Sequence, residues 1–200
     1  MYLSKLELNL RNATVRRDLA DAYDMHRSLT RGFVSGTNEH PPRFLWRVEP
    51  ESKWANPVVL VQSRTSPDWS CFSVRGYLQK EPGIKNVDTT KLVQEGYRYR
   101  FRLFGNTVLT RQGKRYGLSS EEDQIEWLKR KGARCGFDID NVLVTSSDII
   151  YLRGNDICLR QTCFEGILTP NDAPNLQNAL VNGVGPAKSF GLGLLSLSPR

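Results

Sequence analysis

The sequence predicts an α+β chain made of two ferredoxin-like (βαββαβ) units in tandem, with a glycine-rich loop near its C-terminus. Three observations predict this. The first 62 residues read as strand, helix, strand, strand, which is the opening of a βαββαβ unit. From Tyr97 the order starts again, with a strand, a capped helix, further strands and a closing helix and strand. Between the two runs, residues 80–96 carry Pro82, Gly83, Asn86, Asp88 and Gly96, a composition that marks a linker. The units are therefore expected at residues 1–88 and 96–200.

Each element follows from its pattern. Tyr2, Leu3, Leu6, Leu8 and Leu10 nearly alternate with polar residues and predict a half-buried strand. Asp18 or Asp21 can cap a helix reaching about Phe33, whose core face is Ala22, Met25, Leu29 and Phe33. At about 100° per residue, Tyr23, His26, Arg27 and Thr30 fall on the adjoining flank, with His26 nearest the apolar edge. Phe44 to Val48 and Pro57 to Gln62 read as strands, the second an apolar run suited to a central position. A second helix for this unit has no signal. Tyr97 to Leu103 alternates strictly, giving a strand with Arg98, Arg100 and Arg102 on one face. A hairpin-like stretch from Gly105 to Gly117 follows. Ser120 and Asp123 resemble a capping box for a helix that carries Ile125 and Leu128 and ends before Gly132. Phe137 to Thr145, Asp148 to Arg153 and Ile157 to Leu168 read as strands. Pro174 begins a helix running to about Val181, and Leu194 to Leu197 is the last strand.

Composition narrows the partner. Lys and Arg total 28 against 21 acids, a net charge of +7, which favours a polyanion. Cys71, Cys135, Cys158 and Cys163 form no CxxC pair, and His26 and His40 lie far from any ligand cluster, so neither a metal nor a cofactor is expected. With no apolar run near the ~20 residues of a membrane span and no leader pattern, a soluble, cytoplasmic and reduced protein is expected. Between the last helix and strand lie Gly183, Gly185, Gly191 and Gly193, with Lys188 among them. Such a loop is either an anion-binding concavity or a tight crossover packed against a sheet. It is neither a Walker loop nor a dinucleotide fingerprint.

Several segments together resemble one family. They are Met1-Tyr2-Leu3-Ser4-Lys5-Leu6, Arg17-Asp18-Leu19 with Tyr23-x-Met25-His26, Leu45-Trp46-Arg47-Val48-Glu49, Val59-Leu60-Val61-Gln62 with Pro67-Asp68-Trp69, and the closing run Gly183 to Ser196. In this order they resemble the CasE-type CRISPR RNA-processing endoribonucleases of type I-E (Cascade) systems. The resemblance implies tandem ferredoxin-like domains and metal-independent cleavage of CRISPR repeat RNA at the base of its hairpin, leaving a 2′,3′-cyclic phosphate and a 5′-hydroxyl. It also implies that the product hairpin stays bound and that the partners are the repeat RNA and other Cascade subunits. The family's catalytic histidine and tyrosine correspond to His26 and Tyr23. Its basic, stem-gripping hairpin falls near Tyr151 to Arg160, which here holds Arg153 and Arg160.

The chemistry suits these residue types. Histidine titrates near neutral pH and can serve as general acid or base. Tyr23, with a reference pKa of about 10, is a poor base, and its hydroxyl is better suited to orienting the 2′-OH or the phosphate. Arg27, Arg31 and Lys188 are candidates to stabilise the developing charge and bind RNA, together with Arg153, Arg160 and the four glycines. Two other readings stand beside this one. The chain is a non-catalytic RNA-holding subunit, or a small-molecule or phosphoprotein binder on a versatile scaffold.

Overall fold

The structure is a computed structural model that describes residues 1–34, 36, 40–50, 56–73, 76–152 and 158–200. The chain forms two compact units, residues 1–87 with 189–191 and residues 88–188 with 192–200.

The first unit runs β1 (Tyr2–Glu7), α1 (Ala13–Ala20), α2 (Ala22–Thr30), β2 (Phe44–Val48), β3 (Val58–Ser63), α3 (Ser70–Ser73) and β4 (Gly83–Asn86). Its sheet has the order β2-β3-β1-β4 with antiparallel neighbours, the strand order of a ferredoxin-like fold. Of the two expected caps, Asp21 begins the expected helix, α2, while α1 before it had no place in the sequence reading. Asp21, in extended conformation, ends α1 and caps α2. The second crossover helix shrinks to the single turn of α3, which explains why no periodicity announced it. The expected linker also contributes structure, because Gly83–Asn86 pairs with β1 as the sheet's edge.

The core of this unit is built from Leu6, Leu8, Val15, Met25, Leu29, Phe44, Trp46 and Trp69. Leu10 lies past the end of β1 and is exposed, against the alternation. Trp69 lies over Gly32, where a Cβ would come within 2.3 Å of the indole, and its Nε1 donates to Ser4 Oγ at 3.0 Å. A tryptophan so enclosed contributes roughly 150–250 Å² of buried surface and anchors the α2 end to the sheet.

The second unit runs α4 (Thr89–Leu92), β5 (Tyr99–Asn106), β6 (Val108–Arg111), β7 (Lys114–Gly117), α5 (Glu121–Cys135), β8 (Phe137–Tyr151), β9 (Cys158–Pro170), α6 (Ala173–Asn182) and β10 (Leu195–Pro199). Its main sheet has the order β10-β5-β9-β8, again antiparallel throughout, so β5, α5, β8, β9, α6 and β10 repeat the ferredoxin-like plan. The β6–β7 ribbon is inserted between the first strand and its helix. Ser120 Oγ accepts from the Asp123 amide at 3.1 Å, as the capping pattern required. The helix does not stop at Gly132. It continues to Cys135 and ends at Gly136 in the left-handed region, φ 79°. Gly132 is buried inside it because a Cβ there would meet the Phe137 carbonyl at 2.7 Å. The two strands expected across residues 137–153 are one strand, β8, whose register slips after Ile139 and after Val144; these bulges interrupt the alternation that sequence reading depends on.

Candidate active site

The site is built on α2. Asp21 Oδ1 accepts from the Tyr23 amide at 2.7 Å, fixing the first turn. The helix buries Met25, Ser28 and Leu29, so Tyr23 and His26, three residues apart, share the flank that leaves the core. Tyr23 is 57% exposed. His26 is half-buried, and its ring stacks on Phe44 at 4.8 Å between centroids with 18° between planes. Phe33 stacks on the far side of Phe44 at 4.7 Å and 17°. The Nδ1 atom of His26 is enclosed without a hydrogen-bond partner among the described residues. Burial pushes the imidazole below its ordinary value of 6.5, so the ring is neutral at neutral pH. Thr30 Oγ1 donates to the His26 carbonyl at 2.9 Å and secures the end of the helix.

The cations on this helix differ in their surroundings. Arg27 is exposed and donates to Asp24 Oδ1 at 2.9 Å. Arg31, five residues after His26, sits some 140° round the helix from it. It lines a cavity of about 280 Å³ together with Arg17, Ser28, Phe72 and Tyr77. There Arg17 pairs with the buried Asp18 at 2.6 Å, and the Tyr77 hydroxyl donates to the other Asp18 oxygen at 2.8 Å. Burial and the Asp18 charge push the Tyr77 phenol far above its ordinary value, so it stays protonated.

The glycine-rich segment is organised by protein contacts. Gly183, Gly185, Gly191 and Gly193 all have positive φ, between 78° and 88°. A Cβ at Gly185 would approach Trp127 to 3.0 Å, and one at Gly191 would approach Trp46 to 2.9 Å. The Gly183 amide donates to Ala179 O at 2.8 Å and the Gly193 amide to Phe104 O at 2.7 Å, so neither is directed at an external anion. Lys188 opens a 3-10 turn, Lys188–Phe190, and Trp46 Nε1 donates to Ser189 O at 3.2 Å.

Arg160 lies at the start of β9, half-buried, with its Nε enclosed and unpartnered among the described residues. Arg153 lies outside the described residues. Tyr151 and Cys158 pair at the ends of β8 and β9, but the concentrated positive charge is elsewhere. The β6–β7 ribbon turns at Gln112 and Gly113, both with positive φ, and holds Arg111, Lys114 and Arg115, all exposed, with no acid in its sequence. An open groove of about 730 Å³ beside it is lined by Leu109, Arg111, Gln112, Tyr116 and Leu118. The ribbon falls in the hairpin-like stretch expected from Gly105 to Gly117, but sequence reading gave its cations no role, although basic residues flanking Gln-Gly between short alternating runs are a legible signal. On the basic face of β5 two of the three arginines are compensated, with Arg102 bonded to Glu165 at 2.8 Å and Arg98, just before the strand, bonded to Asp140 at 3.1 Å.

A family model described as CRISPR associated protein matches residues 1–199. This chain belongs to the CRISPR-associated protein family. Among its relatives in that family, the CRISPR-associated endoribonuclease Cse3 of Thermus thermophilus is 36% identical over the full length of both chains. The Cascade subunit CasE of Escherichia coli K12 is 32% identical, also over the full length of both. The structure of Thermus thermophilus Cse3 bound to an RNA representing a pre-cleavage complex matches with a TM-score of 0.89 and 35% identity, over 99% of this chain and 98% of that one. Among the described residues of this CRISPR-associated protein, no group of three or more potential metal ligands is found, and no helix is long and apolar enough to cross a membrane.

Proposed function

We propose that this protein is an endoribonuclease that cuts CRISPR repeat RNA at the base of its hairpin and keeps the product hairpin as part of a Cascade complex. The observation that carries the reading is the half-buried, neutral His26 ring held against Phe44, one helical turn from the exposed Tyr23, in a chain whose full-length relatives include an endoribonuclease. The ribose 2′-oxygen loses its proton and forms a bond to phosphorus. The bond from phosphorus to the 5′-oxygen breaks, and that oxygen takes up a proton, leaving a 2′,3′-cyclic phosphate and a 5′-hydroxyl. His26 carries one of these two protons, because an imidazole near neutral pH both accepts and donates. The Tyr23 hydroxyl orients the 2′-OH or the phosphate. Arg27, Arg31 and Lys188 supply positive charge to the RNA.

The first unit thus brings the catalytic helix and the second brings the grip. In the second unit the β6–β7 ribbon, with three exposed cations that have no ion pair among the described residues, is the best-suited contact to an RNA stem, which proteins recognise mainly through shape and backbone. Arg153 and Arg160 are assigned a lesser share, and the glycine segment the task of shaping the surface around Lys188. We place the reaction in the cytoplasm, in keeping with four cysteines none of which forms a disulfide among the described residues.

The substrate tests this reading directly. Repeat hairpins with a single 2′-deoxy substitution at the scissile nucleotide should bind as tightly as unmodified RNA and stay uncut, and the products of unmodified RNA should carry a cyclic phosphate. Cutting of the 2′-deoxy RNA would sink the proposed chemistry. Tight binding without cutting of either RNA would leave a holding subunit.

A further inference from the structure

Arg31 apart, the cavity behind α2 takes no part in the proposed cleavage, yet its lining has the composition of an anion site. We propose that it binds the phosphate group of a single nucleotide, held by Arg31, Arg17 and the Ser28 hydroxyl. The cavity belongs wholly to the first unit, and the proposal does not rest on His26 serving in cleavage. At about 100° per residue, Ser28 and Arg31 stand about 160° and 140° round α2 from His26, so a phosphate held there is not the scissile one.

Ser28 supplies the deciding observation. It lines the cavity, is 1% exposed, and its Oγ has no hydrogen-bond partner among the described residues. A helical serine or threonine often returns its hydroxyl to the carbonyl four residues back, as Thr30 of the same helix does to His26 O at 2.9 Å. Ser28 does not. An unmade hydrogen bond at a buried group is costly, and an oxyanion in the cavity receives it.

Two guanidinium groups border the same space. Arg31 is exposed, has no ion pair among the described residues, and its charge reaches the Tyr77 phenol across the cavity. Arg17 gives Nε and Nη2 to Asp18 Oδ1 at 3.0 and 2.6 Å, which leaves its Nη1 without a partner among the described residues. The nearby acids are already engaged. Asp18 is bonded on both oxygens, by Arg17 and by the Tyr77 hydroxyl at 2.8 Å, and Asp24, 3.7 Å from Arg17 Nε, accepts from Arg27. No carboxylate lines the cavity among the described residues. Asn12 and Thr14 add the first turn of α1, which holds no acid, so the positive end of that helix borders the arginines.

Size and shape set the ligand class. The volume of about 280 Å³ lies at the lower edge of pockets for small organic ligands, about 300–1,000 Å³, which suits one nucleotide and excludes a stem. Guanidinium forks match phosphate oxygens in pairs, and the buried Phe72 and Tyr77 give the rest of the ligand an apolar wall. A free mononucleotide and one nucleotide of an RNA strand present this same chemistry.

Cys71 gives a direct readout, because it lines the cavity and is exposed, while Cys158, exposed in the second unit, serves as the control. Adenosine 5′-monophosphate should bind in calorimetry and slow alkylation of Cys71, but not of Cys158, as read by mass spectrometry. Adenosine, which lacks the phosphate, should do neither. Arg31→Gln should weaken binding by roughly tenfold or more and Ser28→Ala by roughly two- to tenfold, the usual worth of charged and neutral hydrogen bonds. Ser28→Ala should melt at or above the wild-type temperature, since its hydroxyl has no partner in the folded chain among the described residues. Arg31 is exposed, so Arg31→Gln tests the site even if Ser28→Ala fails to fold. Single-stranded repeat RNA separates the two sources. Protection of Cys71 by RNA, lost in Arg31→Gln, places a nucleotide of the strand in the cavity; protection by the mononucleotide alone identifies a free ligand. Cys71 protected by neither, adenosine binding as well as its phosphate, Arg31→Gln binding as wild type, or a folded Ser28→Ala that melts well below wild type overturns the proposal. None of these readouts uses cleavage, so failure of the site and failure of the cleavage reading are told apart.

Discussion

Replacing Arg111, Lys114 and Arg115 together by glutamine should flatten the salt dependence of RNA binding more than any other triple change in the second unit. All three side chains are exposed, and the ribbon from Val108 to Gly117 holds no carboxylate, so their charge is available to phosphate. Each phosphate neutralised contributes about 0.7–0.9 to the slope of log K against log salt. Loss of three contacts therefore lowers the slope by roughly 2–3, and weakens binding most at low salt. The control is Arg98, Arg100 and Arg102, of which Arg98 and Arg102 are already bonded to Asp140 and Glu165. Their replacement should change the slope by at most about one phosphate contact. Anisotropy of a labelled repeat hairpin, titrated from low to moderate salt, measures both. An unchanged slope in the ribbon variant, or an equal drop in the control, would refute the assignment. The ribbon variant should melt within a degree or two of wild type, since surface changes of this kind move stability little.

Two further outcomes concern stability. Tyr77→Phe leaves a fully buried Asp18 carboxylate oxygen without its 2.8 Å donor, and should cost about 1–3 kcal/mol, seen as a lower urea midpoint with cleavage preserved. Because the folded phenol is held above 10.0, its contribution is fully present below that pH and lost above it as the unfolded phenol ionises; Tyr77→Phe should lack that alkaline loss. Gly191→Ala combines a positive φ of 79° with a Cβ only 2.9 Å from Trp46, and overpacking adds about 1–3 kcal/mol to the backbone strain. Gly113→Ala has a similar φ of 77° but open space around it, and should show only the strain, about 1–2 kcal/mol. Equal losses in the two variants would show that the Trp46 contact is not what Gly191 protects.

Much of this was legible in the sequence where a single periodicity ruled. The 3.6-residue repeat of Met25 and Leu29 placed His26 and Tyr23 on one flank, and the structure puts them there. The alternation of Tyr99, Phe101 and Leu103 gave β5 its buried face. Legibility failed where tertiary contacts override local pattern. Gly132 reads as a helix end but is a close approach to Phe137. The helix Ala13–Ala20 went unread, although Asp21, whose extended backbone ends it, was legible as a cap of the helix that follows. The bulges of β8 cut one strand into two apparent ones. The surroundings of the site were less visible still. Phe44 meets His26 across a gap of 18 positions in the chain, and Tyr77 meets Asp18 across 59, distances that no local window spans.

His26 is the residue on which the proposed cleavage turns. Purified wild-type protein and His26→Ala, incubated in a chelator with hairpin repeat RNA from the host's own CRISPR array, should bind with matching affinity. Wild type should cut at one site, and the variant's single-turnover rate should fall about 10²–10⁴-fold, the usual contribution of a positioned proton carrier. A variant that binds and cuts at the wild-type rate would contradict the account and return His26 to a packing role beside Phe44.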